Sequence, residues 1–113
     1  MDTQFINNIT VDAKQYTAIY RSKPLERGED LYLGCNYCDS ILLTSSISTF
    51  GFWMSYLKTT RGYVFYNSQQ RKAKPHISDW DAFHWYPIDW IMLTQNKKTG
   101  EIYREFWNYT QFL

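Results

Sequence analysis

A run of hydroxyl side chains between two apolar segments is the part of this sequence best suited to chemistry. Residues 45–48, Ser-Ser-Ile-Ser, follow the apolar run 40–44, and Thr49 precedes a segment with helical spacing of apolar residues. A helix that begins at Thr49 would offer unpaired amides and a positive partial charge, which suit a phosphate group. Gly51 would let the backbone or a ligand approach closely. The alternative is that these hydroxyls only cap the helix.

Two cysteines, Cys35 and Cys38, have the spacing of a redox pair or of half a zinc site. A zinc site needs two more ligands, and the two histidines, His76 and His84, are too far apart for a short structural zinc motif. The cysteines also fall late in a predicted helix, whereas a thioredoxin-like pair would open one. We therefore expect two small side chains that pack at a helix end.

Further residues could bind metal, phosphate or a proton, although each has a simpler interpretation. Asp79 and Asp81 have an Asp-x-Asp spacing, but other oxygen ligands are missing nearby, so no metal site is predicted. His84 could accept a proton, but its aromatic surroundings favour a packed side chain. The basic segment 71–74 is typical of a solvated loop.

The elements that must position these residues alternate between strand and helix. The patterns predict strands over 14–20, 40–44 and 63–66, a short helix over 29–37, and a helix from Thr49 to residue 58. Residues 93–95 and 101–103 flank a turn and predict a hairpin. This order with short connections predicts an α/β fold, a partial Rossmann-like parallel sheet with a C-terminal β-hairpin. The run 40–44 is expected to be buried on both faces.

Composition narrows the function classes. The chain has 113 residues, a formal charge of +1 and 19% aromatic residues. The near-neutral charge gives no support to a nucleic-acid partner, and the aromatic content argues against disorder. No transmembrane segment or signal peptide is expected in this chain. We predict a flexible end over residues 1–13 and one domain over residues 14–113.

Residues 38–57 resemble the strand-loop-helix motif of the alpha-1,2-fucosyltransferases, glycosyltransferase family 11. The matching features occur in order: Cys38-Asp39, an apolar strand, the turn Thr49-Phe50-Gly51, and an aromatic-Trp-x-x-Tyr-Leu helix. The long loop before Thr49 is similar to that of nematode-type members. Residues 85–92 resemble the closing aromatic-Pro-x-Trp motif of the family. The resemblance covers residues 30–93, more than half of the chain.

This resemblance implies the carboxyl-terminal, donor-binding part of a GT-B-type enzyme. Such an enzyme transfers fucose from GDP-fucose to a glycan hydroxyl with inversion, and no metal or other cofactor is expected. Asp30 would lie near the guanosine. The residues expected at the diphosphate are Ser46, Ser48, Thr49 and Phe50, with Gly51 opening the helix. No catalytic residue is assigned.

The same resemblance leaves the status of the chain open. The family's upstream His-x-Arg-Arg-x-Asp motif does not occur in these residues, so a fragment, a partial gene model or an inactive remnant is expected. A non-enzymatic carbohydrate-binding module is the alternative, because aromatic residues also stack on sugars. Full-length family members are membrane-anchored, which implies the Golgi lumen. There, Asn8 and Asn108 would lie in glycosylation sequons.

Overall fold

The fold is a four-stranded open sheet with helices, as described by a computed structural model for residues 3–45, 48–68 and 86–106. The helices are α1 (Thr3–Asn8), α2 (Arg27–Tyr37) and α3 (Thr49–Tyr56), and the strands are β1 (Ile41–Leu43), β2 (Val64–Asn67), β3 (Ile91–Gln95) and β4 (Ile102–Glu105). The strand order is β1-β2-β3-β4. Strands β1 to β3 are parallel and β4 is antiparallel to β3. The predicted fold class, a partial Rossmann-like α/β sheet with a C-terminal hairpin, is confirmed.

Local sequence explains where α2 begins. The side chain of Glu29 accepts a hydrogen bond from the backbone amide of Glu26 at 3.0 Å, which is half of a capping box. Glu29 and Asp30 also place negative charge in the first turn, where the helix dipole favours it. The helix ends at Tyr37, and Cys38 turns to extended backbone before β1. This short connection runs the chain from the end of α2 into the start of β1.

The core lies on the face of the sheet that α3 covers. Leu43, Tyr66 and Met92 are neighbours in register on the three parallel strands, and all three are buried. The ring of Phe52 in α3 lies 5.4 Å from that of buried Trp90, between centroids. These contacts join α3 to the sheet through aromatic rings, whose burial is a large stabilising contribution.

The opposite face of the sheet corrects one expectation. The run 40–44 was predicted to be buried on both faces, but Leu42 is 59% exposed while Leu43 is buried. Helix α2 packs beside α3, where Gly34 meets Met54, and therefore does not lie under Leu42. Within the described residues, β1 is covered on one face.

The N-terminal region differs from the predicted strand over 14–20. The chain forms a single 3-10 turn at Ala13–Gln15, and no strand follows it before α2. The Asp12 side chain accepts from the Lys14 amide at 3.1 Å, which favours a turn over an extended strand. Helix α1 falls within the predicted flexible end, and the Arg21 guanidinium donates to the carbonyl of Asn7 at 3.0 Å. The domain boundaries stay predictions.

The C-terminal hairpin forms as the sequence predicts. Gln95 pairs with Ile102, and Gly100 adopts a φ of 76° in the turn, a value that favours glycine. Strand β3 begins at Ile91, two residues earlier than predicted, directly after buried Trp90. Among the described helices, none is long and apolar enough to cross a membrane.

Candidate functional site

The N-terminus of α3 lies at the carboxyl edge of the parallel strands. Ser48 is the N-cap in extended conformation, and its hydroxyl accepts a hydrogen bond from the Gly51 amide at 3.2 Å. Its own amide donates to the Ser45 carbonyl at 3.1 Å, which closes the loop after β1. Ser48 thus has the capping role that sequence reasoning kept as the alternative to phosphate binding, and this role fixes the helix tip.

Two backbone donors at this tip remain available. The amide of Gly51 is capped by Ser48, and the amide of Phe52 donates to the Ser48 carbonyl at 3.0 Å. The amides of Thr49 and Phe50 have no hydrogen-bond partner among the residues that the structure describes. Thr49 is exposed and Phe50 is half-buried, so the tip reaches the surface. It can offer two N–H groups and the positive end of the helix dipole to an anion.

Gly51 permits a close approach between α3 and the sheet. A methyl group on Gly51 would lie 3.0 Å from the Cδ2 atom of Leu43 in β1. The space beside this glycine is therefore filled by the strand. The close approach expected at Gly51 is therefore between α3 and the side chain of Leu43, and it determines how near the start of α3 lies to β1.

Asp30 lies in the first turn of α2, the helix that packs beside α3. Helices α2 and α3 pack with Gly34 against Met54, and the Cys35 thiol donates to the Met54 carbonyl at 3.3 Å. These contacts join the later parts of the two helices. Asp30, four residues before Gly34, is half-buried near the start of α2. Within the described residues, no hydrogen bond joins Asp30 to Ser48, Thr49 or Phe50.

A small cavity of about 140 Å³ opens at the carboxyl ends of the strands. Its wall is formed by Leu42, Leu43, Thr44, Asn67, Leu93, Thr94, Gln95 and Ile102. The cavity therefore spans the ends of β1, β2 and β3 and the beginning of β4. Ligands of open parallel sheets bind at this edge. The start of α3 and the cavity share it.

Two curated proteins are similar to this chain, and both are galactoside 2-alpha-L-fucosyltransferases of Caenorhabditis elegans. One is 42% identical over 41 residues, which are 36% of this chain and 12% of the relative. The other is 32% identical over 78 residues, which are 69% of this chain and 19% of the relative. The chain is fucosyltransferase-like. It spans less than a fifth of the length of either relative. No family model matches it, and no solved structure matches it significantly.

In this fucosyltransferase-like chain, the described part of the closing aromatic motif has a packing role. Tyr86 stacks on Tyr66 with ring centroids 4.4 Å apart, and Trp90 contacts Phe52. Burial raises the pKa of the Tyr86 phenol. The motif thereby anchors α3 on the sheet and holds its N-terminus at the carboxyl edge.

The cysteines behave as the sequence predicts. Cys35 is buried against α3 and Cys38 is half-buried at the end of α2, and both are free thiols. The part of the chain that the structure describes contains no cluster of three or more potential metal ligands.

Other predicted residues fall in different places. Asn8 ends α1 and is exposed. Several predicted residues lie outside the described residues, namely Ser46, His76, Asp79, Asp81, His84, Asn108 and the basic segment 71–74.

Sequence reasoning missed a second polar region, at the amino edge of the sheet. Lys58, Arg61, Tyr63 and Asp89 line a cavity of about 360 Å³ there. From the sequence, Lys58 was predicted only to end a helix, and residues 59–62 were predicted only to form a turn. The polar run Lys-Thr-Thr-Arg-Gly between a helix and a strand was the available signal, but it does not indicate which acceptors surround Lys58.

Proposed function

We propose that this chain forms part of the donor site of a fucosyltransferase that moves fucose from GDP-fucose to a hydroxyl group of a galactoside. The two relatives support the reaction class, since both carry this activity in their names. The free amides of Thr49 and Phe50 support the donor, because a sugar nucleotide presents a diphosphate.

The reaction would place the α3 tip next to the leaving group. The acceptor oxygen forms a bond to C1 of fucose from the face opposite GDP, which inverts the configuration. The bond from C1 to the diphosphate oxygen breaks, and its electron pair leaves with GDP. The Thr49 and Phe50 amides, fixed by the Ser48 cap, would stabilise this developing charge without reorganisation. The proton of the acceptor hydroxyl leaves to a base that we do not assign.

The observation that carries this proposal is the pair of unpartnered amides at an exposed helix tip on the carboxyl edge. Every helix leaves its first amides without intrahelical partners, and here two of them lie at the edge where ligands of open parallel sheets bind. Asp30, half-buried in the first turn of the neighbouring helix α2, would contact the guanosine. This donor site would work in the Golgi lumen, where exposed Asn8 would carry a glycan.

The proposal is tested by removing one amide while keeping the helix. Thr49→Pro deletes the N–H at the first helical position, where proline is favoured. Ser48 already has φ −73° and ψ 118°, a conformation that a following proline accepts. We expect GDP to bind the 113-residue wild-type chain and to bind Thr49→Pro about tenfold more weakly, measured by isothermal titration calorimetry.

The matched control is Thr49→Ala, which removes the hydroxyl and retains the amide. If the amide is the ligand, Thr49→Ala keeps more of the GDP affinity than Thr49→Pro does. Circular dichroism must show equal helix content in both variants. The proposal that the diphosphate binds at this tip would be contradicted by equal GDP affinity of wild type and Thr49→Pro, or by no GDP binding to the wild-type chain.

A further inference from the structure

The face of the sheet opposite to α3 carries a continuous set of apolar side chains. Leu42, Phe65 and Ile91 are neighbours in register on the three parallel strands, and along each strand they alternate with the buried residues of the α3 side. Leu42 is exposed, and Phe65 and Ile91 are half-buried. We call this surface the outer face, and it also includes Tyr63, Leu93, Ile102 and Arg104.

Helices α2 and α3 leave the outer face open. Helix α3 packs on the opposite face, where Phe52 contacts Trp90, and α2 packs beside α3. Parallel strands with apolar side chains on both sides are normally covered on both faces. On the outer face, however, Tyr63 and Ile102 are 64% and 65% exposed. The described residues therefore leave an apolar surface that a partner would cover.

A second apolar surface lies in residues 9–21, which we call the N-terminal loop. The Arg21 guanidinium donates to the carbonyls of Asn7 and Ile9, so the loop is closed at its base. Every residue of the loop is exposed. Its large apolar side chains are Ile9, Val11, Tyr16, Ile19 and Tyr20. Because the loop is held at its base, it would lose less conformational freedom on docking than an open segment.

The composition of the loop suits the outer face. Residues 16–20 are Tyr-Thr-Ala-Ile-Tyr, the aromatic and β-branched types that pack on a pleated surface, and none of them is charged. The outer face has one charged side chain, Arg104, among its seven members. In one copy the loop and the outer face are exposed at the same time, so the loop does not cover its own sheet. A second copy supplies the missing half of each contact.

The size of the two surfaces indicates how two copies would meet. Four strands about 4.8 Å apart and about four residues long cover on the order of 250 Å². A stable interface of standard size buries about 800 Å² on each partner and involves roughly 20–30 residues a side. Two outer faces pressed together therefore bury too little. The loop and the outer face together offer about 20 residues per copy, so a stable dimer needs both.

We propose that the protein forms a two-fold symmetric dimer in which the N-terminal loop of each copy docks on the outer face of the other. Reciprocal exchange of identical elements is a low-cost route to a dimer, because each copy contributes the same two surfaces. Both apolar surfaces leave the water while the sheet and α3 keep their contacts. This proposal does not depend on the proposed function.

The first experiment measures the mass of the 113-residue chain in solution by sedimentation velocity over a range of concentrations. We expect a monomer–dimer equilibrium with a dissociation constant on the order of micromolar. Leu42→Lys places a charge on the outer face, and Ile19→Asp places one on the loop. Each substitution should weaken the dimer at least about tenfold.

The second experiment mixes these two variants. Leu42→Lys has an intact loop and Ile19→Asp has an intact outer face, so a mixed dimer regains one of the two contacts. We expect heterodimers at concentrations where neither variant dimerises alone. A variant that failed to fold could not restore this contact, so the mixture separates loss of the interface from loss of the fold.

Tyr32→Asp is the matched control for a charge placed on an exposed apolar position. Tyr32 is 61% exposed on α2, outside both surfaces. The dimer of this variant should have a dissociation constant within about twofold of wild type. A dimer weakened as much by Tyr32→Asp as by Leu42→Lys would contradict the assignment of the interface to the outer face.

Four further results would overturn the proposal. A wild-type chain that stays monomeric up to about 1 mM has no such interface. Unchanged dimerisation of Ile19→Asp shows that the loop is not part of the contact, as when two outer faces meet. Unchanged dimerisation of Leu42→Lys shows that the outer face is not part of it. Absence of heterodimers in the mixture excludes docking of loop on face. GDP binding enters none of these outcomes, so the two proposals fail independently.

Discussion

The two edges of the sheet hold their polar groups in opposite ways. At the carboxyl edge, the α3 tip leaves the backbone amides of Thr49 and Phe50 unpaired among the described residues, and one local cap from Ser48 fixes it. At the amino edge, the Lys58 ammonium donates hydrogen bonds to three backbone carbonyls. The side chains of Arg61 and Asp89 have no hydrogen-bond or ion-pair partner within the described part of the chain.

This difference gives the two edges of one small sheet different roles. Unpaired amides at a helix start are a fixed positive end, suited to a phosphate. At the amino edge, the ammonium of Lys58 instead ties the loop before β2 to the carbonyl of Asp39, which is a structural role. Both edges depend on α3, which starts at one and ends at the other, so substitutions at each end should affect stability and binding differently.

The largest effect on stability is expected at Gly62, which lies against the backbone of Asp39 at the amino edge. A methyl group there would collide with the Asp39 carbonyl oxygen, so Gly62→Ala must move backbone. We expect a loss of about 3 kcal/mol in the free energy of unfolding, measured by urea denaturation. Gly28→Ala in α2 is the control, since a methyl group there would have nothing within 4 Å, and it should stabilise by about 0.5–1 kcal/mol. A neutral Gly62→Ala would show that the loop is not braced.

A smaller loss is expected when the lysine clip, the three bonds from the Lys58 ammonium to backbone carbonyls, is removed. Lys58→Met keeps most of the side-chain length but leaves the carbonyls of Asp39, Thr60 and Gly62 without their charged donor. We expect a loss of about 2 kcal/mol in unfolding free energy, because a thioether replaces a charged donor whose bonds to Thr60 and Gly62 are part-buried. Lys97→Met in the exposed hairpin turn should change stability by less than about 0.5 kcal/mol. Equal effects of the two substitutions would contradict the clip.

Local patterns made the carboxyl edge predictable. The apolar run before Ser45, the hydroxyl loop and the helical spacing after Thr49 are all read from neighbouring residues, and β1 and α3 form there. The hairpin was predictable for the same reason. The prediction of a strand over residues 14–20 was wrong because a strand also needs a neighbouring strand to pair with, and a local pattern does not show whether one is present.

The amino edge was not predictable because its contacts are long-range. Lys58 and the Asp39 carbonyl are 19 residues apart in the chain. Every residue has a backbone carbonyl, so the residue types around Lys58 do not indicate which carbonyls its ammonium will bind. The exposure of Leu42 was missed for a related reason, since only the tertiary position of α2 decides which face of β1 is covered.

The smallest effect on stability is expected at the carboxyl edge, where Ser48 separates folding from binding. Ser48→Ala removes the acceptor for the Gly51 amide and should lower unfolding free energy by about 1 kcal/mol. Ser48→Asp keeps a capping oxygen and adds a charge that the helix dipole favours, so stability should stay within about 0.5 kcal/mol of wild type. The same carboxylate would repel a diphosphate bound at the Thr49 and Phe50 amides. Ser48→Asp should therefore lose GDP affinity although it unfolds like wild type, whereas parallel losses of stability and affinity in both variants would mean that GDP responds only to helix formation.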